Sequence, residues 1–301
     1  MKLRLLSAAA CLALAPAGPA QVPADRLMTA PADARRFVIT SSAGEHGRAS
    51  VWRSADGTVN ARESLLLRGF VFEQDMAVRP GANGMPTRVE VRGVDPSGDA
   101  AETFEVVDGT ARWTTRSDEG SAPFDGSAFY TTLGGPFAGN AAFVEAIYRA
   151  PGQRMRLLPG GEARLTRLTE ATIGEGAARR RVVAYAIEGL SLEQVPIWYE
   201  EDGSFFGIVG FLALLPEGYQ GARAQLLAAQ EEALAARSPA IARRFGQLPG
   251  RPVAFTGVRM FDSVAGRFLD NRTVVLDGAR IAAVGETGSV RVPAGAQVID
   301  G

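Results

Sequence analysis

Cysteine, histidine and lysine each occur once in this chain, as Cys11, His46 and Lys2. Cys11 lies in the apolar N-terminal run, so removal of that run leaves no cysteine, which excludes disulfides, thiol catalysis and Cys-ligated zinc. One imidazole excludes any mechanism that needs several. With Lys2 also in the N-terminal run, the positive charge of the remaining chain is carried by arginine alone. Strong charge of either sign is absent as well: the formal net charge is −1 and the pI near 6.0. No field is available to gather nucleic acid or an anionic membrane surface, so neither is expected as a partner. After the N-terminus no apolar run is long enough for a transmembrane helix.

What is present is enough apolar sequence, 46% of residues, for two packed domains. Residues 1–20, MKLRLLSAAACLALAPAGPA, place Lys2 and Arg4 before a short apolar core and small residues ending at Ala17 or Ala20. This is the layout of a secretory signal peptide and predicts export to the periplasm or medium, the alternative being a buried N-terminal helix. The AAAC sequence is a poor lipoprotein box, because apolar sequence continues past Cys11.

Residues 30–218 read as an antiparallel β domain. Short runs such as RFVITS, TRVEVRGV and VPIWYEE are rich in branched and aromatic residues and alternate with period two. Asp108-Gly109 and Asp202-Gly203 are two-residue hairpin signals. The count of such runs predicts a meander of about eight to ten strands. One helix is expected after Asn140 as N-cap, with Phe143, Val144, Ile147 and Tyr148 forming an apolar stripe. The apolar stretch at 205–215, FFGIVGFLALL, reads as a strand or strand pair buried on both faces. An alanine-rich helix with a thin apolar face, broken or restarted at Ser238-Pro239, bridges over 219–245. Residues 246–252 read as a linker, and 253–301 as a second β unit with a hairpin at Asp277-Gly278. The fold class is therefore mainly β, with one or two helices.

The succession GVRMFDSVAGRFLDNRTVVLDGARIAAVGE, then VPAGAQVIDG, resembles the N-terminal segment of the amidohydrolase superfamily. Asp262, Asn271 to Val275, Asp277-Gly278, Arg280 to Gly285, Pro293 to Gly295 and Val298 to Gly301 carry the likeness. It implies the first strands of a small β-sandwich beside a catalytic barrel. It also implies a parent activity of metal-dependent hydrolysis of non-peptide carbon–nitrogen bonds on a small molecule, with zinc or another divalent metal. In that family Val-Ile-Asp-Gly leads into Pro-Gly-Leu-Ile-Asp-x-His-x-His, the first metal-binding strand. The sequence ends at Gly301 without it, and no position matches a family ligand. The expectation is a chain without its barrel: inactive alone, with no catalytic, cofactor-binding or metal-binding residue. Its last strands are expected to be mobile or prone to self-association through unpaired edges, with proteolysis near Leu248 to Arg251. The domain ahead of them looks like the extra β domain of some secreted amidohydrolase-like proteins, and like curved-sheet periplasmic carriers of apolar ligands. The alternative is thus a secreted, non-enzymatic β-sheet binding module for a small apolar ligand or a protein partner.

Several residues invite chemistry and each has a plainer reading. His46 is a candidate ligand or general base, or an exposed turn histidine with no nucleophile motif beside it. Glu200, Glu201 and Asp202 are a candidate cation site, or a solvated hairpin end. Arg179, Arg180 and Arg181 are a candidate anion grip, or a basic strand edge that discourages pairing. Trp52, Trp113, Trp198 and Tyr199 are candidate lining of a concave face, or ordinary core. GEGAARR and GGPFAGN are glycine-rich without phosphate-loop spacing.

Overall fold

The computed structural model describes residues 24–246 and 249–301. The expected signal segment and, within the linker, Gln247 and Leu248 lie outside the described residues. The chain divides into two compact units, 1–234 and 235–301. The protein is mainly β, with two α-helices.

The first unit opens with β1 (Arg35–Ser41), β2 (Gly44–Arg53), β3 (Val59–Leu67), β4 (Phe70–Pro80) and β5 (Pro86–Asp95). The short β6 (Gly98–Asp99), β7 (Glu102–Val107), β8 (Thr110–Thr114), β9 (Glu119–Pro123) and β10 (Ala128–Tyr130) follow. Helix α1 (Asn140–Arg149) precedes β11 (Arg154–Leu158), β12 (Glu162–Ile173), β13 (Arg180–Glu188), β14 (Val195–Glu200), β15 (Phe205–Val209) and β16 (Ala213–Pro216). All sixteen strands belong to one sheet. It consists of two antiparallel meanders, β11 to β16 and β1 to β9, joined where β16 pairs with β1 from Phe37↔Pro216 to Thr40↔Ala213. β10 lies parallel to β11 at one edge.

Sixteen strands exceed the eight to ten expected, for a physical reason. β6 and β10 are too short to show a period, and β9, EGSAP, has no branched or aromatic residue. The twelve-residue β12 carries so many outward-facing polar residues that its few inward ones, such as Ala163 and Leu165, do not stand out.

The sheet curls so that its ends meet inside. Tyr130 on β10 stacks on Phe104 of β7 with centroids 4.5 Å apart, and lies 6.2 Å from Trp113 of β8. The enclosed core takes inward residues from almost every strand and packs them on α1, whose Ala141, Phe143, Val144 and Ile147 are buried. Asn140 does not cap this helix. It is already helical, and its side-chain amide donates to the Phe137 carbonyl at 3.1 Å, because a 3-10 turn at Phe137–Gly139 delivers the chain already coiled.

The hairpin signals fold differently from one another: the expected two-residue turn at Asp202-Gly203 is a three-residue loop, Glu201 to Gly203, closed between Glu200 and Ser204, with Gly203 at φ 81°. Asp108 and Gly109 join β7 to β8 with φ of 49° and 71°, the two positive angles a type I′ turn needs. The 205–215 stretch is a strand pair covered on both sides: Phe205 and Leu214 face the inner core, and Phe206, Val209 and Leu215 face an outer one.

That outer core is closed by α2 (Arg223–Phe245), which is one helix and is not broken at Pro239. The proline ring removes one donor to the Ala235 carbonyl, and Ala235 is exposed, so that carbonyl can be solvated where it stands. On the first unit α2 buries Leu226 and Gln230. The Gln230 amide accepts from Trp198 Nε1 at 2.9 Å and donates to the Val209 carbonyl at 2.7 Å.

The second unit contains the end of α2 and a four-stranded sheet of β17 (Val253–Asp262), β18 (Arg267–Asp277), β19 (Arg280–Glu286) and β20 (Gln297–Asp300), in the order β19-β18-β17-β20. Asp277 pairs with Arg280, so the turn's central residues are Gly278 and Ala279, with Gly278 at φ 57°; the expected Asp277-Gly278 turn is displaced by one residue. β20 is parallel to β17. One row of side chains, Ile299, Phe255, Val274 and Val284, crosses all four strands on one face. None of the four is buried, and Val284 is 46% exposed. On the opposite face Ala254 and Val275 are fully enclosed.

Candidate functional site

The polar residues singled out in the sequence are brought together in an unforeseen way. Arg179, Arg180 and Arg181 face Glu200, Glu201 and Asp202 across a shallow surface depression of about 520 Å3 that also includes Arg35. The β13–β14 register, with Val182 opposite Glu200, makes the two runs neighbours. Arg181 pairs with Glu170 at 2.8 Å and with Glu201 at 3.3 Å. Burial holds the Glu200 carboxyl above its usual range, whereas the Ser204 backbone N–H lowers Asp202. Cations and carboxylates here largely neutralise one another, which leaves a solvated strand end.

His46 lies on β2, its Nε2 2.6 Å from Ser41 Oγ. The four aromatic residues do not share a face. Trp113 and Tyr199 belong to the inner core, Trp198 is fully buried in the outer core beneath α2, and Trp52 is half-buried. Successive residues on a strand point to opposite faces, so Trp198 and Tyr199 could not line one surface.

The site with the most developed geometry went unread in the sequence. At one end of the curled sheet the C-terminal half of α1 passes the ends of β2, β3 and β4, leaving a cavity of about 330 Å3. Val59, Val78, Met85, Phe129, Ala142 and Ala146 supply apolar walls. Among the described residues its charged lining consists of Arg53, Glu145 and Arg149. Glu145 is held in place by the Phe205 backbone N–H, which donates to Oε1 at 3.2 Å. Its Oε2 lies 3.5 Å from Arg53 Nη2 and 3.6 Å from Arg149 Nη1. The Glu145/Arg149 spacing of four on a helix was visible in the sequence. The partner from β2, ninety-two residues away, was not.

Two buried carboxyls hold the segment that leads into α1. Glu102 accepts from the Tyr130 hydroxyl at 2.8 Å and from the Leu133 and Gly134 N–H groups at 3.0 and 3.3 Å. Glu63 is 1% exposed; its Oε2 accepts from the Ala138 N–H at 3.3 Å, and its Oε1 has no partner among the described residues. Burial pushes the Glu63 carboxyl up to about 8 and raises Glu102 as well. The glycine-rich GGPFAGN is therefore a structural strap with both ends anchored, in keeping with its lack of a phosphate-loop spacing.

No protein-family model matches the chain, and no curated protein does. A solved structure of a DUF1089 family protein from Pseudomonas aeruginosa overlaps 62% of this chain and 98% of its own, at 17% identity and a TM-score of 0.33. A likeness that distant carries no argument about this protein.

Among the described residues no three His, Cys, Asp or Glu side chains are grouped to hold a metal ion, and no helix is long and apolar enough to cross a membrane. Chemically, the cavity can enclose a small apolar group and present charge at its edge.

Proposed function

We propose that the chain is the N-terminal part of an exported metal-dependent hydrolase of the amidohydrolase kind, acting on non-peptide carbon–nitrogen bonds of a small molecule. The ordered sequence run in 253–301 suggests the family. The observation that carries the reading is the row Ile299–Phe255–Val274–Val284, half-buried at its centre and exposed at both ends: a sheet apolar on both faces is built to be an inner layer, and this face is incompletely covered. On this reading the cover is a further layer of the same sandwich. Export rests on the signal-like residues 1–20.

Zinc or another divalent metal belongs to this reading through the family alone. The donors of this chain do not fit it: a hydrolytic zinc needs three protein ligands, the one histidine is hydrogen-bonded to Ser41, and among the described residues no three His, Cys, Asp or Glu side chains are grouped. No hydrolytic step is assigned to any residue here, and on this reading the chain alone is inactive. The test is the nucleotide sequence beyond the Gly301 codon. A Pro-Gly-Leu-Ile-Asp-x-His-x-His reading close downstream supports the proposal, and its absence from every frame overturns it.

A second reading concerns the first unit by itself: a binding module for a small apolar ligand, favoured by the 330 Å3 cavity beside α1. The two readings are compatible, as accessory domain and hydrolase. Ala146→Phe, which fills the cavity, should abolish binding of a fluorescent apolar probe, whereas unchanged binding would place the probe elsewhere.

A further inference from the structure

We infer that the cavity beside α1 takes a small monocarboxylate with an apolar tail, its carboxylate held between Arg53 and Arg149. The inference rests on the reading of the first unit as a module for small apolar ligands and adds the chemical class of the ligand.

Charge is the first argument. Two guanidinium groups flank one carboxylate oxygen at 3.5 and 3.6 Å, beyond hydrogen-bonding distance for a tight pair, and among the described residues no other charged side chain lines the cavity. Within the lining the guanidinium groups outnumber the carboxylate by one; Arg149 also interacts with Asp202 outside the cavity, so Arg53 is the less compensated of the two. A neutral ligand would ignore that charge, and a cationic one would be repelled by it.

Accessibility is the second. The Arg53 and Arg149 side chains are 54% and 55% exposed, while Glu145 is 16% exposed and tied to the Phe205 N–H. The carboxylate already present is thus a fixed part of the wall, and the guanidinium groups are the parts an incoming anion can reach. Their backbone contacts, Arg53 to the Gly57 carbonyl at 2.9 Å and Arg149 to the Glu145 carbonyl at 3.1 Å, hold them at the rim and leave other N–H donors of each fork unused by these contacts. The C-terminal end of α1 disfavours an anion, and Arg149 in its last turn offsets this.

Shape is the third. The apolar walls come from rigid elements, Val59 and Val78 on neighbouring strands and Ala142 and Ala146 one helical turn apart on α1. The alanines leave room for a tail that larger residues would fill. The volume is near the lower end for ligand pockets, which suits a short aliphatic chain and excludes a long lipid.

The test is calorimetric titration of the 301-residue protein with octanoate, 1-octanol and octylammonium at pH 7 and low salt. Octanoate should bind at least tenfold more tightly than octanol, and this margin should shrink as salt is added, because the guanidinium groups are half exposed. Arg149→Gln and Arg53→Gln should each bring octanoate down toward octanol, and Arg149→Lys should keep part of the margin. Ala146→Phe should abolish binding of both. Equal affinity for octanoate and octanol, or tighter binding of octylammonium, overturns the carboxylate assignment and leaves the apolar-ligand reading standing. Binding of none of the three overturns both.

Discussion

Glu63 lies on β3 with Ala61 before it and Leu65 after it on the same face, and all three are buried. Its position makes it the residue whose ionisation matters most to the first unit. In an unfolded chain its carboxyl titrates near the usual 4.5, and in the fold near 8. Below the lower value both states are protonated. Between the two, only the unfolded chain ionises, so the folded state loses up to about 1.4 kcal/mol per pH unit from this group as pH rises. Glu63→Gln keeps an acceptor for the Ala138 N–H and cannot ionise. The variant should match the parent near pH 4, below the lower value, and be clearly more stable at pH 8. Urea unfolding followed by tryptophan fluorescence reads this, since Trp52, Trp113 and Trp198 all lie in the first unit. Parallel pH profiles would show that Glu63 is ionised in the fold. The inward position was legible, because a charged residue in the apolar phase of an alternating strand must either be buried or break the pattern. Glu102, in phase with Phe104 on β7, carries the same signal. What each carboxyl holds was not legible, since Ala138 lies seventy-five residues from Glu63 and Leu133 thirty-one from Glu102.

At the scale of elements, α2 shows how a thin apolar face can still dock a helix. Leu226 is fully buried, Leu227 and Ala229 pack beside it partly buried, and polar contacts add to the grip: Gln230 serves both Trp198 and the Val209 carbonyl, and Gln225 donates to the Thr172 carbonyl at 3.0 Å. Gln230→Ala leaves a buried indole N–H and a buried carbonyl without partners, a cost of about 2–4 kcal/mol. A lower urea midpoint and an altered Trp198 emission should follow, and an unchanged midpoint would mean that α2 docks through its apolar residues alone. The far half of the helix responds differently. Pro239→Ala restores a backbone donor and removes a residue about 3 kcal/mol poorer than alanine in a helix interior. Amides of residues 235–245 should gain protection from exchange while the first unit's midpoint stays put; no gain would mean that the helix is already locked there. Helix and hairpins were readable because their signals are local: alanine-rich composition, Asp-Gly pairs, period-two alternation. The strand number, the curl of the sheet and the meeting of Tyr130 with Phe104 depend on pairings between distant segments. Continuity through Pro239 was missed because the local rule against proline was stronger than the propensity of the residues on either side.

At the scale of the whole molecule, the two units differ in how well each covers its own apolar surface. The first wraps a continuous sheet around its core. The second exposes Phe261, Phe268, Ile281 and Val284 on strands that are long for so small a unit. Exposed apolar faces and open strand edges favour association. The 301-residue chain should therefore show concentration-dependent sedimentation, reduced in Ile281→Lys, which places a charge on the open face. Monomeric behaviour of the parent at high concentration would mean that the face is too small to matter. The candidate cavity, the buried carboxyls and the Arg–Glu depression all lie in the first unit, where no motif names them. The family resemblance lies in the second. The central claim is that the four-stranded sheet is one layer of a sandwich whose partner layer is missing here. Amide hydrogen exchange on the intact 301-residue chain tests it most directly: β17 to β20 should exchange far faster than β1 to β5 and β11 to β16, whereas equal protection of the two sheets would show that the second unit is complete as it stands.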